Sequence, residues 1–104
     1  MVLCEFAMFP TDKGASVGTF VAKVIDYIDN SGITYQLTPM GTIIEGNWAD
    51  VIAVIDGCYK TLEPHSDRIY ATVKVDYRKT EESRMHSKID KISATLGREI
   101  KSKP

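Results

Sequence analysis

The residues best suited to chemistry in this chain lie close together, between Tyr35 and Gly46, in the sequence YQLTPMGTIIEG. This stretch places hydroxyl groups, a thioether and one carboxylate around a Pro-Met-Gly turn. Small polar groups beside an apolar, polarisable surface are typical of sites that hold a small organic ligand. The segment is therefore the first place to look for a binding function.

No other group of side chains forms a recognisable catalytic or metal-binding set. Cys4 and Cys58 lack the Cys-x-x-Cys spacing of a metal carrier, and His65 and His86 have no second ligand at metal spacing. No nucleophile has an evident base beside it. We expect no catalytic residue and no metal site, with both cysteines in the core and both histidines at the surface.

Length and charge limit the function classes. The chain has 104 residues and a formal net charge of −1, which suits a single domain over 1–104, with an ordered core of about 1–97 and a frayed tail at 98–104. No aromatic residue follows Tyr77 among the C-terminal basic residues, which argues against nucleic-acid binding. The apolar residues Met1–Pro10 are too short for a signal peptide and no apolar run approaches the length of a membrane span, so we expect a cytoplasmic protein.

Hydrophobic periodicity predicts the elements that position these residues. Alternation predicts strands at Val2–Phe9 and Ile69–Tyr77, and the second of these should have one buried face. Short β-favouring runs at Ile33–Leu37 and Thr42–Glu45 predict a hairpin. Apolar stripes at helical spacing predict three helices, whose N-caps are Ser16, Asn47 and a residue near Ser83.

The third helix carries its own apolar stripe and ends near Gly97, and the stripe comprises Met85, Ile89, Ile92 and Leu96. The predicted order is therefore βαββαβ followed by an additional C-terminal helix. It matches an α+β ferredoxin-like sandwich with an antiparallel four-stranded sheet. The additional helix must bury its stripe either on its own sheet or against another subunit.

The pattern Tyr-x-Leu-x-Pro-Met-Gly-Thr-x-Ile-Glu-Gly at 35–46 resembles the hallmark of the thiamine-binding, YkoF-like family. The likeness extends to Ala15-Ser16-Val17 and to Lys74, Asp76 and Arg78. It implies a cytoplasmic ferredoxin-like domain that binds thiamine or its pyrimidine moiety without transforming it, with no other cofactor. It also implies a homodimer or homotetramer formed through the sheets, and the C-terminal helix is a further candidate contact.

Thiamine chemistry suggests roles for the motif residues. A thiazolium cation needs a carboxylate or an aromatic face, which Glu45 could supply, and an aminopyrimidine needs a paired donor and acceptor, which threonines and hairpin backbone could supply. The candidate ligand contacts suggested by this resemblance are Phe6, Met8, Tyr35, Thr38, Met40, Thr42 and Glu45.

Structural roles compete with these assignments. Glu45 is equally typical of a solvated strand end, Phe6, Met8 and Met40 of a hydrophobic core, and Trp48 of packing or an interface. Two other functions also fit the fold order: an ACT-like regulatory or oligomerisation module that binds a different metabolite, and an acylphosphatase-like enzyme. The second is weak, because the loop after the first strand offers Lys13 but no arginine.

Overall fold

A computed structural model describes residues 1–104. The elements in chain order are β1 (Val2–Pro10), α1 (Val17–Ser31), β2 (Thr34–Thr38), β3 (Gly41–Gly46), α2 (Trp48–Leu62), β4 (Ile69–Tyr77) and α3 (Ser87–Leu96), with short 3-10 turns at Gly14–Ser16 and Glu63–His65. Every predicted element is present, and the hairpin strands differ from their predicted bounds by one residue at each end.

The four strands form one antiparallel sheet in the order β2-β3-β1-β4. This is the arrangement of a βαββαβ ferredoxin-like sandwich with an added C-terminal helix, as predicted. None of the helices is long and apolar enough to cross a membrane.

The core lies between one face of the sheet and the helices α1 and α2. Residues of β1 alternate strictly, so that Val2, Cys4, Phe6 and Met8 are buried on this helix-covered face. Both helices present their predicted stripes to it, through Val24 and Ile28 on α1 and mainly through Val51, Val54, Cys58 and Leu62 on α2. The predicted core position of both cysteines is confirmed.

The prediction of a buried face on β4 was wrong. Val73 pairs with Phe6 and Val75 with Cys4, so these valines lie on the helix-covered side of the sheet, yet both are exposed. The reason is that β4 is an edge strand and α2 packs mainly on β1 and β3, so that only Ile69 of β4 is half-buried against the core. The alternation predicted for β4 is present, but the two helices do not cover Val73 and Val75.

The predicted helix caps are confirmed in part. Ser16 is the N-cap residue of α1 as predicted, but its side chain makes no capping hydrogen bond, and a 3-10 turn leads directly into the helix. The cap predicted near Ser83 was wrong. Helix α3 starts at Ser87, and its N-cap position is His86. Ser83 lies earlier, in a segment that crosses the sheet face opposite α1 and α2, called here the open face. The cap of α2 is as predicted, since Asn47 Oδ1 accepts from the Asp50 N–H at 2.8 Å.

Candidate functional site

A notch opens where β3 ends beside the longer strand β1. The ladder between these strands stops at the pair Phe6 and Thr42, whereas the ladder between β1 and β4 continues to Pro10 and Ile69. Beyond Phe6, therefore, the β3-side edge of β1 has no strand partner. The chain turns away there because Pro39 and Met40 form the two-residue turn of the β2–β3 hairpin.

The notch is closed on one side by α1 and on the other by the hairpin turn. Its volume is about 230 Å³, and it is lined by residues 6–9 of β1, residues 37–42 of the hairpin, and Val21, Val24 and Ile25 of α1. Four consecutive strand residues line it even though their side chains point to alternate faces. The cavity must therefore run along the edge of β1.

Five of the seven predicted contact residues meet at this notch, and these are Phe6, Met8, Thr38, Met40 and Thr42. Phe6 and Met8 form its floor and are also part of the core. These two residues can therefore be core residues and candidate ligand contacts at the same time. Met40 stands at the turn with 86% of its surface exposed, and it belongs to the rim and not to the core. The turn motif and the first strand thus converge as the sequence suggested.

Thr38 shapes the turn. Its hydroxyl donates to the Gly41 carbonyl at 2.8 Å and accepts from the Met40 N–H at 3.3 Å. A side chain at Gly41 would come within 3.0 Å of the Phe6 carbonyl oxygen, so glycine is needed for the hairpin to approach β1 this closely. Both residues hold the rim of the notch in place.

Thr42 is the most informative residue of the site. Its side chain is only 4% exposed, and its hydroxyl makes no hydrogen bond within the chain. The hydroxyl is not fully enclosed by protein, and Thr42 is one of the residues that line the notch. A free hydroxyl inside an apolar cavity is costly unless something else bonds to it.

Tyr35 lies outside the notch. Its side chain is on the helix-covered face of β2, and its hydroxyl donates to Asp29 Oδ1 in the last turn of α1 at 2.8 Å. This hydrogen bond raises the pKa of Tyr35 above the ordinary value of 10.0. Tyr35 therefore fixes α1 to the hairpin and does not reach the cavity.

Glu45 lies on the opposite side of the sheet, so the structure does not bring this candidate contact to the notch. It pairs with Leu3 on the open face, because strand residues three apart point to opposite faces. It is 6% exposed, and its carboxylate accepts from the Ser83 hydroxyl and the Arg84 N–H, both at 2.6 Å. In this structure Glu45 anchors the segment that leads to α3.

The sequence did not predict that α1 and Leu37 would line the notch. Val21 and Ile25 belong to the apolar stripe of α1, and both line the cavity as well. One signal was available: β3 has six residues and β1 has nine, so part of one edge of β1 had to be left unpaired. No charged side chain lines the notch, so its lining suits an uncharged group.

Comparisons with known proteins point to one family. A family model described as "Thiamine-binding protein" matches residues 4–93. UPF0045 protein YqgV from Bacillus subtilis is 33% identical over 102 residues, which cover 92% of this chain and 98% of that protein. UPF0045 protein MJ1052 from Methanocaldococcus jannaschii is 29% identical over 91 residues, covering 88% of this chain and 91% of that protein.

Solved structures show the same fold. The crystal structure of MJ1052 superposes with a TM-score of 0.79 at 28% identity, covering 88% of this chain and 95% of the other. A candidate thiamine biosynthesis/salvage protein from Thermotoga maritima gives a TM-score of 0.76 at 19% identity, with 88% and 97% covered. At that identity, the second likeness is one of fold alone.

Proposed function

The chain belongs to the thiamine-binding protein family, and we propose that it is a non-enzymatic binding protein that holds the pyrimidine moiety of thiamine in the notch beside β1. Such a protein acts as a carrier, buffer or sensor in the cytoplasm. The Thermotoga maritima protein of the same fold, itself described as a candidate for thiamine biosynthesis or salvage, is consistent with this role.

The size and polarity of the notch favour the pyrimidine over the whole vitamin. Its volume of about 230 Å³ is below the roughly 300 Å³ at which pockets for drug-sized ligands begin. No carboxylate lines it, so the thiazolium cation has no ion-pair partner inside. We place the single uncharged ring in the notch and leave the thiazolium, when present, beyond the exposed side chain of Met40.

The observation that carries the proposal is the hydroxyl of the buried residue Thr42, which has no hydrogen-bond partner within the chain and belongs to the lining of an apolar cavity. A ligand with one polar group at that point would satisfy it. The Phe6 ring and the thioethers of Met8 and Met40 would then contact the faces and rim of the ring.

Isothermal titration calorimetry with thiamine, with 4-amino-5-hydroxymethyl-2-methylpyrimidine and with a panel of amino acids tests this function. We expect saturable binding of the pyrimidine. Thiamine should bind with no higher affinity than the pyrimidine, and none of the amino acids should bind. Thr42→Val should weaken binding about five- to tenfold, in line with the loss of one hydrogen bond. Thr34→Val, on an exposed position of the same hairpin, is the matched control and should bind normally.

Amino acids binding while the pyrimidine produces no heat would instead support the regulatory-module alternative. No binding of any ligand, or equal affinities of the Thr42→Val variant and the wild type, would contradict the notch as the site.

The edge strand β4 supports a second part of the proposal, self-association. Its nine residues include no proline, its outer backbone groups are unpaired, and Val73, Val75 and Tyr77 are exposed on its helix-covered face. Exposed edges of this kind pair with another chain unless they are protected.

The flank of α2 adds to this apolar surface. The other flank of α2 contacts α1 where Tyr27 packs against Gly57, and α1 is tied to β2 on the far side of the sheet by Tyr35. The flank that carries Trp48, Ile52 and Tyr59 therefore faces the β4 side, and all three residues are exposed. We propose that a second copy of this chain pairs its β4 with this β4 and covers both surfaces.

Sedimentation equilibrium over a range of protein concentrations tests the assembly. The wild type should form at least dimers, and Val73→Lys should shift the protein to monomer by placing a charge in the shared apolar surface. Thr34→Lys, on the opposite edge strand, is the matched control and should leave the assembly unchanged. A wild-type protein that is monomeric throughout would contradict this part of the proposal alone.

A further inference from the structure

The main chain of β1 carries polar groups that face the notch. At the two ends of the β1–β4 ladder, the Arg78 N–H donates to the Met1 carbonyl at 3.1 Å, and the Thr11 N–H donates to the Arg68 carbonyl at 3.0 Å. Backbone groups of successive strand residues point to alternate edges, so the odd-numbered residues of β1 face β4 and the even-numbered ones face β3.

Met8 is the first even-numbered residue beyond the end of the β1–β3 ladder, which stops at Phe6. Its N–H and C=O therefore point from the edge of β1 into the notch, where β3 provides no partner. The next even-numbered residue is Pro10, which has no N–H to offer. Met8 is thus the residue at this free edge that presents both a donor and an acceptor, side by side and in one direction.

We infer that the Met8 main chain is the element that recognises the ligand. It forms hydrogen bonds with the edge of an aminopyrimidine in the way that one β-strand forms them with its neighbour. The Met8 N–H donates to a ring nitrogen, and the Met8 carbonyl accepts from the adjacent exocyclic amino group. The Thr42 hydroxyl, about 7 Å away along the strand direction, is left for another polar group of the ligand. This inference rests on the proposed function.

The physical basis is the cost of leaving these groups without partners. A peptide donor and acceptor at the wall of an apolar cavity lose water when a ring enters, so only a ring that replaces both hydrogen bonds binds well. A ring with the same shape but without the amino group leaves the Met8 carbonyl without a donor. A 4-oxo ring carries N3–H and C4=O on this edge, so in the same orientation it sets donor against donor and acceptor against acceptor. Selectivity therefore comes from the backbone and not from a charged side chain.

Ligand analogues give the first test. Calorimetry should show about tenfold or greater loss of affinity for the deamino pyrimidine, which leaves a buried acceptor unpaired, and for the 4-oxo pyrimidine, whose donor and acceptor are exchanged on this edge. Equal affinity for all three rings would overturn the inference. If the amino ring binds and still depends on Thr42, the proposed function stands even though this inference fails.

Amide spectroscopy gives a test without mutation. In the free protein the Met8 amide should exchange with solvent faster than the Phe6 amide, which lies within the β1–β3 ladder. Saturation with the pyrimidine should slow Met8 exchange and shift its proton resonance downfield, with little change at Phe6. An unchanged Met8 amide in the saturated complex would overturn the inference.

A pair of variants at one position separates backbone from side chain. Met8→Ala and Met8→Pro both remove the thioether, but only Met8→Pro removes the N–H. That N–H is not used in the β4 ladder, and Pro10 already occupies the equivalent position two residues later. We expect Met8→Pro to bind about tenfold or more weakly than Met8→Ala, and equal affinities of the two would contradict the inference.

Discussion

Thr42 and Glu45 are three residues apart on β3, and their side chains lie on opposite faces of the sheet. Thr42 faces the apolar notch with a free hydroxyl, while Glu45 is fully engaged with the segment that leads to α3. The same motif therefore contains one candidate ligand contact and one structural anchor, which a reading by residue type could not distinguish.

Glu45→Ala should lower the free energy of unfolding by about 1–3 kcal/mol, because the Arg84 N–H and the Ser83 hydroxyl lose a charged acceptor. Glu45→Gln should cost less, since it keeps the shape and one acceptor oxygen. Urea denaturation measures both values, and the exposed Glu82→Ala is the control.

Pyrimidine affinity separates the two roles of Glu45. Because Glu45 faces away from the notch, we expect the Glu45→Gln variant to bind the pyrimidine as the wild type does. A clear loss of affinity in a folded Glu45→Gln protein would show that Glu45 acts on the ligand site after all.

Helices α1 and α2 pack closely at Gly57. A methyl group at that position would overlap the ring of Tyr27, so the contact requires glycine even though glycine weakens a helix interior. This contact places α2 beside α1, and it thereby sets which flank of α2 faces the β4 side.

Gly57→Ala should therefore have opposite effects in two backgrounds. In the wild type we expect a loss of about 1–3 kcal/mol of stability from the steric conflict with Tyr27. In a Tyr27→Ala background the same change should stabilise by about 0.5–1 kcal/mol, from helix propensity. A thermodynamic cycle from urea denaturation measures the coupling, and equal effects in both backgrounds would contradict the packing described here.

As a whole, the molecule has an interior with two free thiols, Cys4 and Cys58. Burial raises the pKa of Cys58 from its ordinary value of 9.0 to about 12, and burial followed by the neighbouring charge of Glu5 raises that of Cys4. The folded state keeps these protons while the unfolded chain releases them. The stabilising effect is therefore complete below pH 9 and is lost as the pH rises toward 12.

We expect alkaline pH to destabilise the protein. The free energy of unfolding should fall less steeply with pH in the Cys58→Ala variant than in the wild type. The measurement is the free energy of unfolding by urea between pH 8 and pH 11, compared between the two proteins, because those pH values span the ordinary cysteine pKa. Parallel curves for the two proteins would show that the Cys58 thiol does not contribute. Below about pH 8 the two slopes should agree.

The sequence by itself determined the order of elements, the alternating core face of β1, the helical stripes and the hairpin turn. These follow from local periodicity and turn chemistry, which each segment carries in its own residues. The resemblance in the hairpin motif likewise led to the right family and the right fold. The predicted extent of the ordered core, 1–97, stays a prediction.

Only the tertiary structure decided which predicted contacts share one site. Strand register sends Glu45 to the open face, the position of α1 takes Tyr35 away from the cavity, and the unequal lengths of β1 and β3 open the notch at Met8. The tertiary structure also leaves most of β4 uncovered. The width of the helix layer depends on how α1 and α2 pack and not on the sequence of β4. Register and packing are relations between distant segments, and no single segment encodes them.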